Sequence, residues 1–143
     1  MLRTQRGSVL MLMPAAMLIV ILLGSIAVDF AVVFLGERDL VSAAAAAAND
    51  GATFGIDQEQ FRATGDIRLD PSRVEQAVNR SIEAHRPEER DLIVDVDVDD
   101  ATNTVRVTIT GTVDYIFARA IPGVDNSTTV SATSSATAET TGP

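Results

Sequence analysis

Residues 6–52, RGSVLMLMPAAMLIVILLGSIAVDFAVVFLGERDLVSAAAAAANDGA, decide how this chain is built. The 21 residues from Ser8 to Val28 carry no charge. As a helix rising about 1.5 Å per residue they span roughly 30 Å, which matches the hydrocarbon core of a bilayer. We therefore expect a transmembrane helix over residues 8–35, with Asp29 near its outer boundary.

Two arginines set the orientation of this helix. Arg3 and Arg6 precede the apolar run, and the positive-inside rule places such residues in the cytoplasm. We therefore expect a single-pass protein of the cell membrane, with residues 1–7 cytoplasmic and the C-terminal domain exterior.

A cleaved secretory signal is the competing interpretation. The small residues Gly24, Ser25 and Ala27 fit a Ser-x-Ala cleavage site, which would leave Val28 as the new N-terminus. Against cleavage, the apolar stretch is long for a signal sequence, and the apolar segment FAVVFL resumes at Phe30. The length rule favours the permanent anchor.

The helical pattern continues beyond the apolar run. Six consecutive alanines, residues 43–48, are strong helix formers. Asn49, Asp50 and Gly51 then predict a helix end with Gly51 as its C-cap. We expect one helix of about forty residues, with residues 36–56 as its exterior continuation and its end.

The exterior domain, residues 57–143, predicts an α+β fold. A polar loop leads to a helix that begins with Asp70 as N-cap and Pro71 in the first turn, and ends near His85. Valines at 94, 96 and 98 alternate with aspartates, and a second alternating run covers 105–113, which is typical of two strands with one buried face. The residues between them, DATN, predict an antiparallel hairpin. The fold class is therefore a long N-terminal helix followed by a helix packed on a small antiparallel sheet.

Two segments of this domain leave alternatives open. The Ser/Thr-rich residues 127–143 fit either an edge strand or a disordered tail. The linking segment YIFARAIPGVD, residues 115–125, is apolar enough to cap the core or to insert into a partner, and core capping is the favoured interpretation.

The sequence offers no catalytic, cofactor or metal site. It has no cysteine and one histidine, His85, and it has neither a G-x-S-x-G motif nor a phosphate-binding loop. Asp95, Asp97 and Asp99 do not make an EF-hand, because Asp100 stands where that loop needs glycine. Strand alternation explains these aspartates, although a weak divalent site among them and Asp100 stays open.

Charge also limits the partners. Nineteen of the 20 acidic residues and 9 of the 11 basic residues lie in residues 37–143. An acidic domain of this kind is soluble and is repelled by nucleic acid, so we expect no nucleic-acid partner. We expect no enzymatic activity.

The N-terminal third resembles TadG-like and TadE-like proteins, which are pilin-like components of bacterial Flp/Tad pilus assembly. The residues that carry the resemblance precede, end and follow the apolar helix: Arg6-Gly7, Ala27-Val28-Asp29, Leu40, Ala43–Ala48 and Gly51-Ala52. The resemblance implies membrane lipid as a partner, and other pilin-like or Tad assembly proteins as partners through the N-terminal helix.

Because the resemblance is to pilin-like proteins, the prepilin cleavage pattern is relevant, and one position departs from it. Prepilins usually have a glycine at the cleavage site and a glutamate five residues into the mature chain. Gly7 and Ser8 could form that site, but the fifth residue after Gly7 is Leu12. This favours an uncleaved accessory anchor over a shaft pilin.

Two functions from different classes follow from the sequence. The first is a non-enzymatic pilin-like membrane component of a Tad/Flp-type pilus or a related secretion assembly, in which Asp29 either marks the membrane boundary or pairs with an arginine or N-terminus of a neighbouring helix. The second is a membrane-anchored or secreted acidic binding domain with no pilus role.

Overall fold

The structure is a computed structural model that describes residues 6–139. Arg3 and the rest of residues 1–5, expected in the cytoplasm, lie outside the described residues, as do the last four residues of the C-terminal segment. The elements are α1 (Arg6–Phe54), α2 (Gln58–Thr64), α3 (Pro71–His85), β1 (Arg90–Asp99), β2 (Thr104–Asp114), a short 3-10 helix (Ala118–Ala120) and β3 (Ser127–Thr137).

Helix α1 is longer than the sequence predicted. It has 49 residues and passes through Gly51, so the assignment of Gly51 as a C-cap is wrong. A Cβ atom at Gly51 would lie 3.1 Å from side-chain atoms of both Val78 and Val105. The glycine is thus placed where α1 approaches its neighbours closely, and the helix ends one turn later, where the Gly55 amide donates to the Gly51 carbonyl at 2.9 Å.

The segment predicted as a polar loop contains helix α2. The Asp57 carboxylate accepts hydrogen bonds from the amides of Glu59 and Gln60, at 3.0 and 3.2 Å, and so caps the first turn. Gly65, with φ of 77°, ends the helix in the left-handed conformation. This helix buries no residue, which explains why hydrophobic periodicity did not predict it.

Helix α3 has the predicted boundaries. Asp70 accepts a hydrogen bond from the Ser72 amide at 2.9 Å, and Pro71 occupies the first helical position. Val74, Ala77 and Val78 are the buried residues of this helix. The helix ends after His85 because Arg86 adopts φ of 49°.

The sheet has three antiparallel strands in the order β1-β2-β3. The predicted hairpin joins β1 to β2, with Val96 opposite Val107. On its other side β2 pairs with β3, with Ile109 opposite Ala132. Residues 127–137 therefore form an edge strand rather than a tail. The fold class is therefore α+β, as predicted.

Helix α1 supplies one side of the core. It packs on α3, β2 and β3 through its second half, where the side chains are small. The buried apolar residues are Leu40, Ala43, Ala44, Ala47, Ala48, Ala52, Leu69, Val74, Ala77, Val78, Val105, Val107, Ile109, Val113, Val130 and Ala132. Residues 6–35 of α1 are called the stem below, and residues 36–139 are called the head.

Candidate functional site: the junction between stem and head

From residue 12 to residue 28 the stem exposes large apolar side chains on all sides. Among the described residues, α1 is the helix that is long and apolar enough to cross a membrane. Its exposed apolar residues from position 12 to 35 are Leu12, Met13, Met17, Leu18, Ile19, Val20, Ile21, Leu22, Leu23, Ile26, Val28, Phe30, Phe34 and Leu35. Ser25 donates its hydroxyl to the Ile21 carbonyl at 2.9 Å, so this polar group is satisfied within the helix. Such a surface suits lipid better than water.

Asp29 is the buried exception on this surface. It is 9 % exposed, whereas Phe30 beside it is 72 % exposed. Its carboxylate accepts backbone hydrogen bonds from Ile116, Phe117 and Ala118, at 2.7, 2.9 and 2.8 Å respectively. Asp29 therefore fixes a loop of the head to the stem of the same chain.

The loop between β2 and β3, residues 115–126, is shaped to receive this carboxylate. The Tyr115 amide donates to the Asn126 carbonyl at 2.9 Å and closes the base of the loop. The next three amides turn toward one point, and such clusters of backbone N–H groups bind anions. Arg119 follows directly and adds an attractive positive charge near Asp29.

The outer surface of the loop is apolar. Ile116, Phe117, Ile121 and Val124 are between 44 % and 50 % exposed. The expectation that this segment caps the core is therefore wrong. The core is already closed at this end by α1, because Val32 and Val33 pack against it.

Gly36 makes that closure possible. A Cβ atom at this position would lie 2.7 Å from Cγ2 of Val113 and 3.1 Å from Oε1 of Glu89. Both distances are too short for an ordinary contact, so a glycine lets α1 approach β2 about two helical turns after Asp29.

A groove lined by charged residues of both signs, including Arg86 and Arg90, lies beside Gly36. Its lining includes Asp39, His85 and Glu89, and Nε2 of His85 lies 3.7 Å from Oδ1 of Asp39. Burial raises the pKa of the Glu89 carboxyl, and the negative charges of Asp39 and Glu88 raise it further. In the described part of the chain, Oε2 of Glu89 is buried without a hydrogen-bond partner.

The aspartates of β1 face away from the core. Asp95 and Asp97 are exposed, and Asp99 accepts hydrogen bonds from the Ala101 amide and the Thr102 hydroxyl at 2.9 and 2.8 Å. Within residues 6–139, no group of three or more His, Cys, Asp or Glu side chains could hold a metal ion.

The structure does not bring the predicted site residues together. Gly7 and Ser8 lie in the first turn of α1, 21 or more positions before Asp29 and thus roughly 30 Å away along the helix. Sequence reasoning singled out Asp29 but missed its partners in residues 116–118. The available signal was an apolar run in a loop, YIF, without a helix or strand period.

One comparison with known proteins gives a match. A sequence model of Tad-like Flp pilus-assembly proteins matches residues 35–136. This match covers nearly all of the head, whereas the resemblance in the N-terminal third rests on residues 6–52, so the two overlap at residues 35–52. No curated protein and no solved structure matches at a significant level. Because the matched segment is well over half of the chain, this protein belongs to the Tad-like Flp pilus-assembly family.

Proposed function

We propose that the protein is a non-enzymatic, pilin-like membrane component of a Tad/Flp-type pilus or a related secretion assembly. The observation that carries this proposal is the double use of α1. Its first half exposes large apolar residues, and its second half is buried in the core of the head. One continuous helix thus couples a membrane anchor rigidly to a folded head, and membership of a pilus-assembly family supports the same role.

The proposed topology is single-pass, with a cytoplasmic N-terminus and an exterior head. The positive-inside rule supports it through Arg3 and Arg6. Protease added to intact spheroplasts should digest the head, and detergent should not be needed. Protection of the head until the membrane is dissolved would reverse the orientation.

The N-terminus is proposed to remain uncleaved, which suits an accessory component better than a shaft subunit. The support is Leu12, which stands where prepilins usually have glutamate. N-terminal sequencing of the protein from cells should find residues before Gly7. A start at Ser8 would indicate prepilin-type maturation, and a start at Val28 would contradict the anchor.

The proposed partners are membrane lipid and the apolar helices of other Tad assembly proteins. The mechanism is packing: the stem lies among similar helices, and the head presents its surface outside. Pairing of Asp29 with a neighbouring helix stays a prediction. If it occurs, Asp29→Asn should reduce co-purification of assembly proteins, and unchanged recovery would contradict it.

An acidic anchored or secreted binding domain without a pilus role is the second candidate. The exposed aspartates of β1 favour it, because Asp95, Asp97 and Asp99 outnumber the exposed Arg106 of β2 on the outer face of the sheet. Deleting the gene and restoring it on a plasmid separates the two candidates. Loss and recovery of pili support the first, and normal pili in the deletion strain support the second.

A further inference from the structure

We infer that the loop of residues 115–124 is a second membrane contact, which lies in the outer interface of the bilayer beside the stem. The inference rests on the proposed membrane anchor and adds a surface of the head to it. Three features of the loop support it: its position, its surface and its backbone hydrogen bonds.

Position is set by Asp29. The carboxylate directly follows the uncharged span that ends at Val28, and three loop amides lie within 2.9 Å of it. A stem that crosses the bilayer must therefore hold this loop at the level where the hydrocarbon ends. Ile116 and Phe117, whose amides bind Asp29, are exposed, as is the neighbouring Phe30 of the stem.

The surface of the loop has the chemistry of an interfacial segment. Its large apolar residues, Ile116, Phe117, Ile121 and Val124, are about half exposed. Within residues 115–124 the single charge is that of Arg119, which is exposed and positive, and the exposed Asp125 follows this segment. Apolar side chains that enter the acyl boundary beside an arginine at the level of lipid phosphates are typical of membrane-surface elements.

Most backbone N–H groups of the loop have hydrogen-bond acceptors within the protein, which a medium with little water requires. Unsatisfied backbone groups cost several kcal/mol in hydrocarbon, as a rough magnitude. Besides the three amides bound to Asp29, those of Tyr115, Ala120, Ile121 and Val124 donate to backbone carbonyls. Pro122 has no N–H group, so at least seven of the nine amides in residues 115–124 have acceptors.

The turn at the other end of the sheet shows that this chemistry is not general to the head. Residues 100–103, DATN, contain no large apolar side chain. Polar side chains make the hydrogen bonds of this turn. The Asp99 carboxylate accepts from the Ala101 amide and the Thr102 hydroxyl, and the Thr102 hydroxyl also lies within hydrogen-bond distance of the Thr104 hydroxyl. One end of the sheet is built for water, and the other end, beside the stem, presents Phe and Ile.

Single-tryptophan fluorescence tests the inference, because the chain has no tryptophan of its own. Phe117→Trp and Ile121→Trp are made separately in the full chain and reconstituted into phosphatidylcholine/phosphatidylglycerol vesicles. Brominated acyl chains quench a tryptophan that touches them. Both variants should show a blue-shifted emission and a loss of fluorescence that is larger with bromine near the carbonyl end of the chain than near its methyl end.

Two matched variants make the outcomes separable. Leu22→Trp reports on the stem and should be quenched most by deep bromines. Phe61→Trp, on α2 and 42 % exposed, should not be quenched. Circular dichroism of each variant checks that the head is folded.

Two results would contradict the inference about the loop but leave the proposed membrane anchor unaffected. If Leu22→Trp is quenched while both loop variants keep full, red-shifted emission, the loop lies in water. If the loop variants are blue-shifted but not quenched, protein covers the loop. Absence of quenching in Leu22→Trp as well would contradict the proposed membrane anchor itself.

Discussion

The two halves of α1 differ in the size of their side chains and in how far these are buried. Between residues 12 and 35 most of the large apolar side chains are exposed, whereas between residues 40 and 52 the buried residues are mostly alanine. Large side chains gain from contact with lipid, and small ones let the helix approach a sheet and a second helix closely. Side-chain size, rather than helix propensity, therefore separates the stem from the head.

The largest expected effect is on the free energy of unfolding, and it compares the same substitution, leucine to alanine, in the two halves of α1. Leu40 is fully buried and Leu22 is 50 % exposed. Leu40→Ala should lower the free energy of unfolding of the head by about 2–5 kcal/mol, because it leaves a cavity. Leu22→Ala should change it by less than about 0.5 kcal/mol.

Urea unfolding of the full chain in detergent micelles measures both variants, with the single tyrosine, Tyr115, as the fluorescent reporter. Equal destabilisation by the two substitutions would mean that the stem also contributes to the stability of the head. The division of α1 into an exposed stem and a buried second half would then be wrong.

A second pair sharpens the comparison within the alanine run. Ala47 is fully buried, and Ala45 is exposed two positions earlier. Ala47→Leu should destabilise the head by about 1–3 kcal/mol through overpacking. Ala45→Leu should be within about 0.5 kcal/mol of the parent, because its side chain has space. Comparable urea midpoints for the two variants would contradict the packing assigned to this helix face.

The next effect is on hydrogen exchange of the loop amides that bind Asp29. Asp29→Ala removes the acceptor of the Ile116, Phe117 and Ala118 amides. Hydrogen exchange of these three amides should become faster, while that of the Ile109 amide in β2 should stay as it was. Asp29→Asn should give an intermediate rate, because one amide oxygen remains as an acceptor. Unchanged exchange in Asp29→Ala would show that the loop holds its position without the stem.

The smallest expected effect is a pH dependence of the head. Because the folded state raises the pKa of Glu89, it binds this proton more tightly than the unfolded state does. The contribution to stability is therefore full below pH 4.5 and is lost as the pH rises through the raised pKa. Glu89→Gln should remove this decline, as measured by urea midpoints across the pH range.

The exposed Glu83→Gln on α3 is the matched control and should leave that decline in place. Loss of stability below pH 3.8 should persist in both variants. It arises from Asp70 and Asp99, whose pKa values are lowered by hydrogen bonds from Ser72 and Thr102 respectively. A Glu89→Gln variant with the parent's pH profile would show that Glu89 does not titrate in this way.

Much of the fold could be predicted because its signals are local. The caps at Asp70 and Pro71 and the alternation of β1 and β2 depend on neighbours in sequence. Helix α2 was missed for the opposite reason, since it has capping residues but no buried face. Gly51 was misassigned because a glycine at a close contact and a glycine at a helix end look alike in sequence.

The site was predictable in part. An aspartate at the end of an apolar span predicts some partner, because a carboxylate there needs hydrogen bonds or water. Which partner it has could not be predicted, since Ile116 lies 87 positions away along the chain. The apolar loop was assigned to the core because the sequence does not show that Val32 and Val33 already fill that place.

The sequence by itself determined the composition of each half of α1, the positions of α3 and the sheet hairpin, and the absence of cysteine chemistry. These follow from side-chain size, capping and period, which act over a few residues. Only the tertiary structure decided that Asp29 holds the loop after β2 and that Gly36 and Gly51 are contact points. Those features depend on distances between segments far apart in the chain, and packing alone sets such distances.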